Sequence, residues 1–215
     1  MTSSPSRPGL AASAPCVHVV DDDPAVRDSL VWLFTARGRP VTAWESGEAF
    51  LAGFLEGLRG AVLLDVRMGG MSGLEVLERL EELGSILPVI VLTGHGDVPV
   101  AVQSLKKGAI DFVEKPFDAD ELVDQVVAAL ALEARRHAAA ASDRTIERQL
   151  ASLSAREREV MELMLEGKLN KQIADDLGIA MRTVEVHRAR ILEKFGVRSA
   201  VELAGRLAAF RRGEG

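Results

Sequence analysis

The sequence predicts an α/β domain built on a doubly wound five-stranded parallel sheet, followed by a small all-α domain of four helices. Two patterns carry this. Up to Leu132, short apolar runs alternate with amphipathic stretches, which implies parallel strands buried on both faces by helices. From Leu153 onward the apolar residues keep a helical period and no strand-like run occurs. The charge divides at the same place. Residues 16–132 hold 9 Lys+Arg against 19 Asp+Glu, a balance of −10, whereas residues 150–215 hold 12 against 10, a balance of +2. An acidic half and a mildly basic half suggest different partners.

The elements follow in order. Residues 1–15, rich in Ser, Ala and Pro with no apolar core, are expected to be a disordered tail and not a signal peptide. The domain of residues 16–132 opens with Cys16 to Val20 as the first strand. Cys16 is the sole cysteine, which excludes an internal disulfide and predicts a buried, inert thiol. Pro24 to Arg37 places Val26, Leu30, Leu33 and Phe34 at helical spacing before Gly38. Pro40 to Trp44 is a weaker strand, and Ser46 can cap a helix through Gly57. Ala61 to Leu64 forms the third strand and Leu74 to Leu83 a helix with Glu75, Glu78, Glu81 and Glu82 outward. Val89 to Leu92 is the fourth strand, Val98 to Lys107 a helix, Ile110 to Glu114 the fifth strand. Asp118 can cap a last helix to Leu132 or beyond. Residues 133–149 lack a strong apolar face and read as a linker, helical in part. In the domain of residues 150–215, Ser154 and Glu157 form a capping box for Ala155 to Glu166. Asn170 to Leu177, a turn at Gly178, and Met181 to Phe195 make a helix-turn-helix layout, and Ser199 caps Ala200 to Phe210. No apolar stretch approaches the roughly 20 residues that cross a bilayer, so no membrane partner is expected.

The strands end on residues suited to phosphate chemistry. The first runs into Asp21, Asp22 and Asp23, the third into Asp65, the fourth into Thr93, and the fifth into Lys115. Ligands of such sheets bind beyond the carboxyl ends of the strands, at the topological switch point. Each residue alone has an ordinary explanation: Asp21 to Asp23 as a helix-entry cap, Asp65 as a loop acceptor, Thr93 and Lys115 as turn residues. Their joint occurrence at neighbouring strand ends points instead to one pocket. Its carboxylates suit a hard divalent cation such as Mg²⁺. With repulsion neutralised, an Asp65 carboxylate could attack a phosphoryl group, and Thr93 and Lys115 would hold its oxygens.

Residues 16 to about 132 resemble the receiver domain of two-component response regulators. Val-Val-Asp-Asp-Asp at 19–23, Leu-Leu-Asp-Val-Arg-Met at 63–68, Leu-Thr-Gly-His-Gly at 92–96 and Glu-Lys-Pro-Phe at 114–117 carry the match. The resemblance implies a flavodoxin-like strand order 2-1-3-4-5, with Asp65 as phosphoacceptor. It implies that Asp21, Asp22, Asp65 and the backbone carbonyl of Arg67 bind Mg²⁺, and that Thr93 and Lys115 contact the phosphoryl group. It also implies a cis peptide before Pro116, and Phe112 as the aromatic that moves with Thr93; burial alone would make Phe112 a core residue. The family reads Met-Pro after the phosphoacceptor, where this chain has Met68-Gly69, a freer backbone. A phosphohydrolase with an aspartate nucleophile needs an acid two residues after it, and Arg67 stands there. A flavodoxin-like cofactor site lacks the phosphate-binding loop after the first strand.

Residues 153 to about 210 resemble the LuxR-type helix-turn-helix domain, through Leu153 to Glu157, Asn170 to Ala174 and Thr183 to Arg188. Together the halves resemble a response regulator of the FixJ/NarL group, nearest the FixJ branch. From helical spacing, Val184, Ile191 and Phe195 face inward, and Arg182, Glu185, Val186, Ala189 and, obliquely, Arg190 face outward. A recognition helix reads base edges near its start. Glu185 could accept from cytosine and Val186 touch a thymine methyl. Lys171, Arg182, Thr183, Arg188 and Lys194 are expected on phosphates. His187 is expected to be packed and hydrogen-bonded. The expected function is a cytoplasmic, non-enzymatic transcription factor, phosphorylated on Asp65 by a sensor histidine kinase, dimerising through the Val98 to Phe117 face and binding double-stranded promoter DNA. RNA polymerase is a partner the family implies. The alternative is a phosphorylation-independent DNA-binding regulator whose receiver-like half is a dimerisation scaffold.

Overall fold

The computed structural model describes residues 14–54, 58–94 and 97–213, with the side chains of 211–213 not described. The expected tail up to residue 13, residues 55–57, and His95 and Gly96 lie outside the described residues. The chain divides into two compact units, Met1–His137 and Ala138–Gly215.

The first unit contains β1 (Cys16–Val20), α1 (Pro24–Ala36), β2 (Val41–Trp44), α2 (Gly47–Gly53), β3 (Gly60–Asp65), α3 (Gly73–Glu82), β4 (Val89–Thr93), α4 (Val98–Lys106) and β5 (Asp111–Glu114). Next comes α5 (Ala119–Ala151), whose first part belongs to this unit. The five strands are parallel, in the order β2-β1-β3-β4-β5. The chain turns one way from β1 to β2 and the other way from β3 onward, so the switch point lies between β1 and β3.

Strand alternation builds two cores. Val17, Val19, Ala61, Leu63, Ile90 and Leu92 pack against Leu30 and Phe34 of α1 and Leu122, Val126 and Ala129 of α5. Val20, Val62, Leu64, Val89 and Val91 pack against Phe50 of α2 and Val76, Leu77 and Leu80 of α3. Each fully buried aliphatic side chain contributes about 1.5–3 kcal/mol, and β3 is buried along its whole length. The central strands are thereby fixed in register by both layers.

Two local expectations differ from the structure, and the helix expected in part over 133–149 is present throughout. The helix after Ser46 ends at Gly53, not Gly57, because Phe54 takes an extended conformation. A side chain at Gly53 would also strike the Trp44 ring. Cys16 is only half-buried, at the first position of its strand, and its thiol lies 3.2 Å from the Thr42 hydroxyl. The segment 133–149 lies within the continuous helix α5. Its ends are anchored: Glu133 is fully buried, with its carboxylate on the Arg59 guanidinium at 2.6 and 3.1 Å, and Ile146 lies in the core of the second unit. An ion pair buries Glu133, so apolar periodicity does not reveal it.

The second unit contains the end of α5, then α6 (Ala155–Leu165), α7 (Asn170–Leu177), α8 (Met181–Phe195) and α9 (Ala200–Gly213). Val160, Met161 and Met164 of α6, Ile173 of α7, Val184, Ile191 and Phe195 of α8 and Leu203, Leu207 and Phe210 of α9 form its core. Gly178 closes α7 in the left-handed conformation, φ 63°, which allows the sharp turn into α8. Among the described residues no helix is long and apolar enough to cross a membrane.

Removing one partner of the Glu133–Arg59 pair leaves a largely buried charge. Glu133→Ala should therefore destabilise the first unit by about 3 kcal/mol, measured by urea unfolding followed through Trp32 and Trp44, the chain's two tryptophans. Replacing both partners with Leu and Met should restore most of the loss.

Candidate functional site

The switch point places the strand-end residues together. Val20 is level with Leu64, so Asp21 follows β1 beside Asp65 at the end of β3, and Asp65 is level with Leu92, just before Thr93. Thr93 is level with Glu114, and the Lys115 N–H donates to the Thr93 carbonyl at 2.8 Å. The Lys115–Pro116 peptide is cis.

Asp21 and Asp65 are buried. The Lys115 ammonium donates to Asp21 Oδ2 at 2.6 Å and to Asp65 Oδ1 at 2.7 Å. Backbone amides take further oxygens, with Asp23 N donating to Asp21 Oδ1 at 2.9 Å and Arg67 N to Asp65 Oδ2 at 2.9 Å. Asp22, which is exposed, accepts from Gly69 N at 2.8 Å. One oxygen from each of Asp21, Asp22 and Asp65 lies within 4.8 Å of the others.

Burial pushes the Asp65 carboxyl above its ordinary range and the Asp21 charge adds to this, while hydrogen bonding and attraction from Lys115 and the Arg67 amide pull the other way without cancelling it. For Lys115, burial favours the neutral amine, but its bonds to Asp21 and Asp65 outweigh that and hold it above its ordinary value. The ammonium therefore stays charged among three carboxyl groups. All-oxygen donors fit Mg²⁺. The Thr93 side chain is buried, and its hydroxyl has no hydrogen-bond partner among the described residues. A buried hydroxyl left unpaired costs free energy, which an incoming oxygen ligand would relieve.

Two features explain how the loop approaches Asp65. A Cβ at Gly73 would lie 2.3 Å from the Asp65 carbonyl oxygen, so only glycine lets the start of α3 press against the end of β3. The Gly73 N–H then donates to the Val66 carbonyl at 3.0 Å. The Arg67 guanidinium turns away to pair with Asp97 at the entry to α4. Phe112 is 36% exposed on the edge strand β5, so it is not a core aromatic. Val98, Val102 and Leu105 of α4 are exposed as well. The amides of Asp23, Arg67 and Gly69 escape sequence reasoning, since a backbone N–H leaves no residue signature.

In the second unit, Arg182, Thr183, Val186, Ala189 and Arg190 are exposed on α8, Glu185 and Arg188 are half-buried, and Lys171 is exposed on α7. Arg182 pairs with Glu185 at 3.4 Å. Lys194 departs from expectation: its ammonium donates to Glu157 Oε2 at 2.7 Å and to the Ser152 carbonyl at 2.8 Å. It fastens α8 to the start of α6 instead of standing free for a phosphate. His187 is half-buried, and its Nδ1 has no hydrogen-bond partner among the described residues.

The Lys194 hydrogen bond, followed by the capping bonds from Ser154, draws the Glu157 carboxyl down from 4.5 to about 2. A carboxyl lowered on folding contributes stability that is full above its unfolded value, near 4.5, and is lost as pH falls toward 2. Glu157→Gln should flatten the acid limb of the second unit's stability between pH 5 and about 2, measured by NMR of the Val160 and Ile191 methyl groups. An unchanged acid limb would contradict the assignment.

Comparison with known proteins agrees with both halves. Residues 17–127 match the response regulator receiver domain, and residues 151–207 match the bacterial regulatory proteins of the luxR family. The chain is 53% identical over 190 residues to the C4-dicarboxylate transport transcriptional regulatory protein DctR of Rhodobacter capsulatus, covering 87% of this chain and 96% of that protein. It is 46% identical over 187 residues to the transcriptional regulatory protein FixJ of Azorhizobium caulinodans, covering 87% and 89%. The solved structure of the response regulator StyR superposes with a TM-score of 0.85 at 39% identity, over 91% of this chain and 99% of that one. With a parallel 2-1-3-4-5 sheet ahead of a LuxR-type helical unit, the chain belongs to the FixJ/NarL group of two-component response regulators, a family of DNA-binding transcription regulators.

Proposed function

We propose that this protein is a phosphorylation-controlled transcription factor acting in the cytoplasm, with Asp65 as the phosphoacceptor for a sensor histidine kinase. The observation that carries the reading is the Lys115 ammonium, bonded at once to Asp21 and Asp65 beside the buried Thr93 hydroxyl, which has no hydrogen-bond partner among the described residues. An Asp65 carboxylate oxygen attacks the phosphorus of a phosphohistidine. The P–N bond breaks, the imidazole leaves, and an acyl phosphate remains on Asp65. Asp21, Asp22, Asp65 and the Arg67 carbonyl would hold Mg²⁺, which when bound supplies the positive charge that lets an anion approach a carboxylate. Lys115 and the Thr93 hydroxyl hold phosphoryl oxygens. Arg67, paired with Asp97 and no acid in any case, supplies no proton to a leaving group, which favours retention of the phosphoryl group over repeated turnover.

Thr93 engaged by a phosphoryl oxygen biases the neighbouring β5, where Phe112 is exposed, and the exposed apolar side chains of α4. Burying Val98, Val102, Leu105 and Phe112 against a second copy favours a dimer, a shift of population driven by a local charge event. The dimer presents two copies of α8 to half-sites about one helical turn apart, which offsets the weak attraction of a unit with little net positive charge. Lys171, Arg182, Thr183, Arg188 and Arg190 serve the phosphates, and Glu185, Val186 and Ala189 face base edges. Lys194 is left out, because its ammonium is committed to Glu157. RNA polymerase is the downstream partner.

Treatment with Mg²⁺ and a small-molecule phosphodonor should convert the wild-type protein to a dimer in sedimentation and raise its retention on genomic DNA fragments at least about tenfold. Asp65→Ala should stay monomeric and bind weakly. An Asp65→Ala protein that dimerises and binds DNA as well as the treated wild type would replace this reading with the constitutive scaffold.

A further inference from the structure

Gly69 stands where the family has proline, and the structure uses the group that proline lacks. The Gly69 N–H donates to Asp22 Oδ2 at 2.8 Å. Asp21 and Asp65 are each held by Lys115 and by a backbone amide. Asp22 is exposed, and the Gly69 bond is the one hydrogen bond to its side chain among the described residues. The next turn of the loop is fastened on its other side, where Met71 N donates to Glu48 Oε1 at 2.8 Å. Gly70 makes that approach possible: it has φ 96°, and a Cβ there would lie 2.9 Å from the same Glu48 oxygen. Two carboxylates from other elements, Asp22 after β1 and Glu48 of α2, thus grip a loop whose sequence, Met-Gly-Gly-Met, contains nothing stiff.

We propose that the Gly69 backbone N–H is a positioning group for the metal-binding pocket, holding the exposed Asp22 carboxylate in the direction of Asp21 and Asp65. The proposal rests on the metal-dependent phosphoacceptor reading above. A carboxylate offers two oxygens; the amide takes one and fixes the rotation of the group, leaving the carboxylate able to serve a cation with its remaining lone pairs. Partners that orient ligand side chains in this way typically govern metal affinity by 10–100-fold.

Substitutions at residue 69 separate the donor from the stiffness. Gly69 does not have positive φ, and an added Cβ meets only Asp22 Oδ2, at 3.6 Å, an ordinary contact. Gly69→Ala therefore keeps the N–H and fits, whereas Gly69→Pro removes the N–H and adds rigidity. Isothermal titration of the full chain with MgCl2 should give wild type and Gly69→Ala dissociation constants within about twofold of each other, and a Gly69→Pro constant about tenfold weaker. A Gly69→Pro protein that binds Mg²⁺ as tightly as Gly69→Ala overturns the proposal, and so does a Gly69→Ala protein as weak as Gly69→Pro. If wild type itself binds no Mg²⁺, the metal reading of the pocket fails and this proposal with it, a result distinct from the other two. A second measurement does not depend on proline being accommodated. Hydrogen exchange of the Gly69 amide should be about tenfold faster in Asp22→Ala than in wild type, and the wild-type protection should persist when Mg²⁺ is added. Equal rates in the two proteins, or protection lost on adding Mg²⁺, would show that the amide does not position Asp22 for the metal.

Discussion

The Lys115 ammonium is the interaction on which the strand-end carboxylate pocket depends. It joins the end of β5 to the ends of β1 and β3, at 2.6 Å from Asp21 and 2.7 Å from Asp65, across the point where the sheet reverses its winding. Two buried carboxylates so close would repel strongly without it. One ammonium stands among three carboxyl groups, an all-oxygen set that could hold a divalent cation. The sheet supplies the placement. β3 and β4 are buried on both faces, so Asp65 and Thr93 sit on strands that packing holds from two sides.

The helical unit uses a similar device for another purpose. Lys194 reaches from α8 to the buried Glu157 and the Ser152 carbonyl, tying the recognition helix to the start of α6. A charge that the sequence offers to a phosphate instead fixes the orientation of α8. The residues left on the outer face of α8, from Arg182 to Arg190, are held by the burial of Val184, Ile191 and Phe195 behind them.

Helix starts and the pocket's acidic, hydroxyl and ammonium side chains were legible in the sequence, because each depends on side chains with a strong signature, whereas the strand order followed from the resemblance to receiver domains. Ser46, Ser72 and Ser154 do accept capping bonds where caps were expected or α3 needed one. Two kinds of feature were hidden, and Phe112 stood open between a switch position and the core. Glu133 is buried by an ion pair with Arg59, a residue distant in sequence, so a charged residue in an apolar-poor segment concealed an anchored helix. Phe112 is exposed on an edge strand, and aromatic identity alone does not separate edge from core. Gly69 looked like lost rigidity, whereas its N–H is tied to Asp22. Backbone donors are present at every residue but proline, so only geometry shows which ones matter.

The account stands on Asp65 as the atom donor to phosphorus, and the covalent product can be located directly. The full chain would be incubated with Mg²⁺ and a small-molecule phosphodonor, reduced with borohydride to convert an acyl phosphate into homoserine, and mapped by mass spectrometry. The account predicts homoserine at position 65 and at no other aspartate. Homoserine at Asp21 or Asp22 instead, or no conversion at any position, would contradict it.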